Sequence, residues 1–303
     1  MKNVFPSWRR IFAFIIDTIV LGIAGMILGF SLSGPFESLG LYGRFVGLII
    51  AVLYFGLLNS RLGRGQTLGK KFLKIKVVNS KKEFLSVPQA IVRAFILYFP
   101  VTISGFFMSV LISNFPLGMF LIDIFMILVL VTIYLIFFNS PAKRVLHDLI
   151  VNSYVINAGA EYDELNYPLN KKHFIFLGVI ILLVIVLSAA ASLMFGKLGL
   201  KTLLETSKYI QRTYNVRLTG VSFNYQKNFN TGRTTGMVAV GVMTKDIVNK
   251  PLAQNIARAI YDRTPNINDF DVIYVTLTRG YDIGISSGYT SASYSFPVNK
   301  QTD

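Results

Sequence analysis

The 303-residue sequence has no cysteine, two histidines and only 15% charged residues. Without cysteine there are no disulfide scaffolds, thiolate metal sites or thiol nucleophiles, and His147 and His173 alone do not make a histidine-rich metal centre. Charge falls well below the roughly 25% of soluble domains, which does not fit an ordinary cytosolic enzyme. Acids are the scarcer sign, with 15 Asp+Glu against 30 Lys+Arg. Hydrophobic residues, at 53%, are plentiful. The length suits one membrane domain and one soluble domain.

Five apolar runs stand out: 11–30, 41–58, 90–112, 117–138 and 174–195. Each approaches the ~20 residues that carry a helix across ~30 Å of hydrocarbon. The second is the shortest without charge, which leaves a re-entrant or tilted helix open. The first begins with Lys2, Arg9 and Arg10 but is too long for a signal peptide, contains Asp17 and lacks a small-residue cleavage site, so it reads as a retained helix. The cations locate the sides. Residues 59–89 hold Arg61, Arg64, Lys70, Lys71, Lys74, Lys76, Lys81 and Lys82 against Glu83 alone, whereas 31–43 and 113–116 hold no cation. Basic loops stay in the cytoplasm, so the N-terminus is expected there and everything after the fifth span outside.

Residues 197–303 change character and carry no run of membrane length. Helical spacing marks 200–214, and Pro251 suits the first turn of a helix over 251–261. Strands are expected at 216–226 and 234–244, with a second hairpin of 271–279 and 282–296 turning about Gly280. The expected fold is an α-helical polytopic membrane domain of about five transmembrane helices with a C-terminal soluble α+β domain. The expected division is 1–160 for four membrane helices, 161–196 for a cytoplasmic linker and the fifth, and 197–303 for an extracytoplasmic α-β-β-α-β-β domain. No hydrolytic triad, zinc motif or calcium-loop spacing appears in that domain, and no enzyme activity, cofactor or nucleic-acid partner is expected.

Arg10 and Asp17 lie seven positions apart, nearly two helical turns or ~10 Å on one face. An acid inside a span costs about 2.5–3.5 kcal/mol on insertion scales, so Asp17 is either functional or held in a packing ion pair with Arg10 or another cation. The loop Gly63-Arg64-Gly65-Gln66-Thr67-Leu68-Gly69-Lys70-Lys71 fails as a phosphate loop, because Arg64 replaces the first glycine and Lys71 the magnesium-binding hydroxyl. After it, residues 71–78 alternate apolar and basic. They read as a short strand on the membrane surface, with 152–156 able to pair with it. Lys70, Lys71, Lys74 and Lys76 are the expected contacts to anionic lipid or another anion, at about 1 kcal/mol each. Gly25-x-x-x-Gly29 and Gly43-x-x-x-Gly47 fit small-residue helix packing.

These motifs, Arg10 through Asp17, Gly65-Gln66-Thr67-Leu68-Gly69-Lys70 with Val77-Val78, Arg93, and Leu146-His147-Asp148, resemble in order the RDD family of bacterial membrane proteins over about residues 5–157. The arginine and two aspartates that name the family correspond to Arg10, Asp17 and Asp148. Ser153 stands where the family usually shows threonine, which keeps the hydroxyl. The resemblance implies a transport-like domain in the bacterial cytoplasmic membrane, with exchange of small cations for protons as the expected activity. Arg10, Asp17, Arg93, His147 and Asp148 would form one polar cluster at the cytoplasmic leaflet. So few helices would need a homo-oligomer or a membrane partner. The alternative is a non-catalytic anchor or accessory subunit whose outer domain docks a protein, peptide or glycan.

Overall fold

A computed structural model describes residues 7–139, 141–159, 165–197, 200–227, 234–264 and 267–298. In chain order the elements are α1 (Ser7–Ser31), α2 (Ser33–Leu39), α3 (Gly43–Asn59), α4 (Leu68–Phe72), β1 (Ile75–Asn79), α5 (Val87–Ser104), α6 (Phe107–Ser113), α7 (Phe115–Phe138), α8 (Leu146–Ile150), β2 (Ser153–Asn157), α9 (Lys171–Lys197), α10 (Leu200–Tyr214), β3 (Arg217–Lys227), β4 (Thr234–Met243), α11 (Lys250–Arg263), β5 (Val272–Asp282) and β6 (Ser287–Pro297). Among the described residues, five segments are long and apolar enough to cross a membrane: Ser7–Ser31, Ser33–Asn59, Val87–Ser104, Phe115–Phe138 and Lys171–Leu193.

The third span is shorter than the apolar run that announces it. α5 starts in a capping box of Ser86 and Gln89 and stops at Ser104, and α6 is a separate short helix. A helix end leaves carbonyls without intrahelical donors. Here the Arg44 guanidinium donates to the carbonyls of Val101 and Thr102 at 3.2 and 3.4 Å, and Gly105 leaves it room to lie there.

The chain forms two compact units. The first comprises Met1–Gly105, Leu121–Val186 and Tyr281–Ser287. Within it β1 and β2 form an antiparallel ribbon, Val77 opposite Val155. Alternate residues of a strand face opposite ways. Ile75, Val77 and Val155 therefore share one face and pack with Ala13 of α1 and Ala90 of α5. Val78, Tyr154 and Ile156 share the other and pack with Ala142 and Leu165. The strand expected over 71–78 begins only at Ile75, because α4 runs to Phe72, and the ribbon is buried by protein on both faces. A third cluster, Leu21, Ala51, Phe55 and Ala94, joins α1, α3 and α5.

The second unit comprises Phe106–Phe120, Leu187–Gly280 and Gly288–Asp303. Its sheet runs in the order β3-β4-β5-β6, with β3–β4 antiparallel and β4–β5 parallel. Val238, Val240 and Val242 alternate along β4, as do Ile273, Val275 and Leu277 along β5. All are buried against Ile256 and Ile260 of α11 and Ile210 of α10. α11 has Pro in its first turn and is capped by Asn249, whose side chain accepts from Leu252 N at 2.9 Å. The turn joining β5 to β6 lies at Ile283–Ser286, not at Gly280. Gly284 has the positive φ the turn needs (79°), and the Asp282 carboxylate accepts from Gly284 N at 2.8 Å.

Candidate functional site

The polar residues expected in one cluster divide into two centres, both in the first unit. Asp148, in the first turn of α8, is fully buried. Arg10 from α1 binds Oδ2 through Nη2, and Arg93 from α5 binds Oδ1 through Nε and Nη2 at 2.9 and 2.7 Å. Ser153 on β2 donates to Oδ1 at 3.0 Å, the hydroxyl that the serine retains. Arg10 also donates to the Lys143 carbonyl at 2.5 Å. One carboxylate thus ties two spanning helices to the ribbon. Burial raises a carboxyl pKa, but the Arg10 and Arg93 charges outweigh it here and hold Asp148 well below the usual range.

His147 lies beside this carboxylate, Nε2 to Oδ1 at 3.6 Å. Burial is the largest influence on it; the Arg93, Arg10 and Lys70 charges add to burial and outweigh Asp148, pushing it down to about 3. It is neutral at physiological pH and adds no charge. Arg144, which the sequence marks only as a loop cation, closes the far side. It donates to Asn152 Oδ1 at 2.7 Å and to the Asp148 carbonyl at 3.2 Å, and its guanidinium carbon lies 4.4 Å from the Tyr154 ring centroid. Burial lowers its proton affinity.

Asp17 is also fully buried, but among the described residues no cation touches it. Arg10 pairs with Asp148 instead, so the expected Arg10–Asp17 pair does not form. Asp17 Oδ1 accepts from Tyr54 Oη and from Gly69 N, both at 2.8 Å, and Oδ2 accepts from Thr67 Oγ1 at 2.5 Å. All three donors are uncharged. The sequence places them for this: Thr67 caps the five-residue α4, and Gly69 follows inside it. A Cβ at Gly69 would strike the Ala13 backbone carbonyl, so glycine alone lets α4 reach α1. Gly65, at φ 68°, turns the loop so that its carbonyl accepts from Val77 N at 2.9 Å, and Gln66 Nε2 donates to the Ile75 carbonyl at 2.9 Å.

Lys70 corrects another expectation. It is buried, donates to Asn59 Oδ1 at 2.8 Å and sits 5.6 Å above the Phe55 ring, so it does not face lipid. Burial, helped by the Arg93 charge, lowers its proton affinity to about 7. Lys71 and Lys74 are exposed, and Lys76 is half-buried over the Phe84 ring. Tyr54, Asn59 and Lys70 are not legible in the sequence as one site, since nothing in their spacing joins them. Among the described residues, no group of three or more His, Cys, Asp or Glu side chains is placed to hold a metal.

The sequence pattern of the RDD family matches residues 5–152. An uncharacterized protein of Bacillus subtilis (strain 168), YxaI, is 34% identical over 126 residues, covering 35% of this chain and 80% of its own. The chain belongs to the RDD family. With its five candidate spans, it is an RDD-type membrane protein that also carries a C-terminal sheet-containing domain. No solved structure matches it.

Proposed function

We propose that the RDD domain exchanges small cations for protons, with Asp17 and Lys70 as the exchangeable element and Arg10–Arg93–Asp148 as a fixed lock. The observation that carries this reading is the partner set of Asp17. A carboxylate held by guanidinium groups has its charge already met, whereas the Asp17 carboxylate, held by a hydroxyl, a phenol and an amide, faces no cation within ion-pair distance among the described residues and leaves that place to a mobile one. Lys70, poised near neutrality, supplies a second group that can change charge nearby. The N-terminus, the ribbon and the basic loops are cytoplasmic in this reading, and the C-terminal domain is extracytoplasmic in a bacterial cytoplasmic membrane. Lys71, Lys74 and Lys76 meet anionic lipid, and a homo-oligomer or membrane partner completes the path. The test is ion flux in vesicles. Asp17→Asn abolishes flux while the protein stays folded and abundant; retained flux removes Asp17 from the mechanism.

A second reading, a non-enzymatic anchor or accessory subunit, draws support from the complete burial of both carboxylates and from the separate core of the second unit. Deleting 200–303 then abolishes partner recovery with flux absent throughout. Recovery of the same partners by the truncated chain excludes docking through that domain.

A further inference from the structure

We propose that the turn Tyr281–Ser287 is a plug, seated in a glycine-lined groove at the end of α1 and α3 opposite the Asp17 site. This segment packs as part of the first unit. Gly25 and Gly29 on α1, and Gly43 and Gly47 on α3, are each one turn apart and so share a helix face. Glycine pairs of this kind ordinarily let two helices touch. Here the turn occupies the space instead. A Cβ at Gly43 would come within 2.8 Å of the Asp282 carbonyl oxygen, and one at Gly25 within 2.8 Å of Ser286 Cβ. At Gly47 it would strike the Ile283 carbonyl oxygen, and at Gly29 the Tyr281 ring.

Three further contacts identify the turn as the groove's occupant. Asp282 Oδ2 accepts from Arg44 Nε at 2.7 Å, Ile283 is fully buried, and Tyr281 packs on Phe36 with ring centroids 6.0 Å apart. The turn also satisfies its own donors, since Ile283 N donates to the Ser286 carbonyl at 3.0 Å and Gly284 N to Asp282. Irregular backbone survives at membrane depth only where protein buries it and its polar groups are met.

Ile285 then packs on the cluster of Leu21, Ala51, Phe55 and Ala94. Phe55 neighbours Tyr54, the donor to Asp17, so the plug caps an apolar column whose other end is the buried carboxylate. From Gly47 to Tyr54 the column is about 10 Å long at the helical rise. The Arg44–Asp282 pair, one-fifth exposed on each side, is the charged contact that fastens the turn to α3. The plug therefore seals that end of the column, whether or not the domain carries ions.

The cysteine-free chain makes the test clean. Ala51→Cys, at a fully buried position, reports water entry through its reaction with a charged maleimide in membranes of mixed orientation. The parent background protects it. Adding Asp282→Asn, which keeps an acceptor for Gly284 N but removes the charge that faces Arg44, speeds labelling by about ten-fold, the weight of one charge-assisted hydrogen bond. Gly47→Leu, which the seated turn cannot accommodate, speeds labelling further, with membrane-integrated protein measured in parallel. Fast labelling in the parent background overturns the plug. So do equal rates in all variants that integrate. Lost flux with unchanged labelling bears on the transport reading alone.

Discussion

Asp17 and Asp148 are equally buried but differently held: one by three uncharged donors, the other by two guanidinium groups and a hydroxyl. The difference teaches that burial alone does not define an ionisable site in a membrane protein. A charge fixed by opposite charges is an element of architecture. A charge met only by dipoles has no opposite charge beside it.

The largest expected effect comes from the fixed member. Asp148→Asn leaves Arg10 and Arg93 buried without their counter-charge, which costs about 3–5 kcal/mol. The variant should fail to accumulate in membranes, as judged by immunoblot against the parent. Gly69→Ala tests the other centre without touching a charge. Its methyl meets the Ala13 carbonyl and pushes α4 off α1, costing about 1–3 kcal/mol in thermal denaturation in detergent.

A pH-dependent effect separates Lys70 from both acids. The folded state binds the Lys70 proton more weakly than the unfolded state, with an affinity lowered to about 7. Between pH 7 and about 10 the unfolded chain therefore carries more protons, and stability rises with pH across that window. Lys70→Met removes this slope, so its melting temperature should exceed the parent's below pH 7 and lose that advantage above it. The smallest effect belongs to the surface. Lys71→Glu with Lys74→Glu should change stability by no more than about 0.5 kcal/mol per substitution. It should weaken association of the detergent-solubilised protein with anionic vesicles relative to neutral ones.

Much of the fold is legible in the sequence because it depends on length and period. The apolar runs give the spans, alternation gives β1, and turn-forming residues mark off the strands of the second unit. What the sequence leaves out depends on partners distant along the chain. Arg10 lies seven residues from Asp17 yet binds Asp148, because α8 and β2 bring that carboxylate to it. Lys70 looks like one cation of a basic loop, but the close approach that Gly69 permits carries it inside. The span over 90–112 ends early because Arg44, on another helix, caps its carbonyls. Gly280 looks like the turn because glycine marks turns generally, but the Asp282–Gly284 bond moves the turn further along the chain.

The most direct test is side-by-side thermal denaturation, in one detergent, of Asp17→Asn and an Asp148→Asn protein recovered at low temperature. An asparagine side chain still offers an oxygen to the phenol and amide donors, so Asp17→Asn should melt close to the parent while Asp148→Asn melts far below it. Equal losses, or the larger loss at Asp17, would contradict the division into one carboxylate held by dipoles and one held by opposite charges.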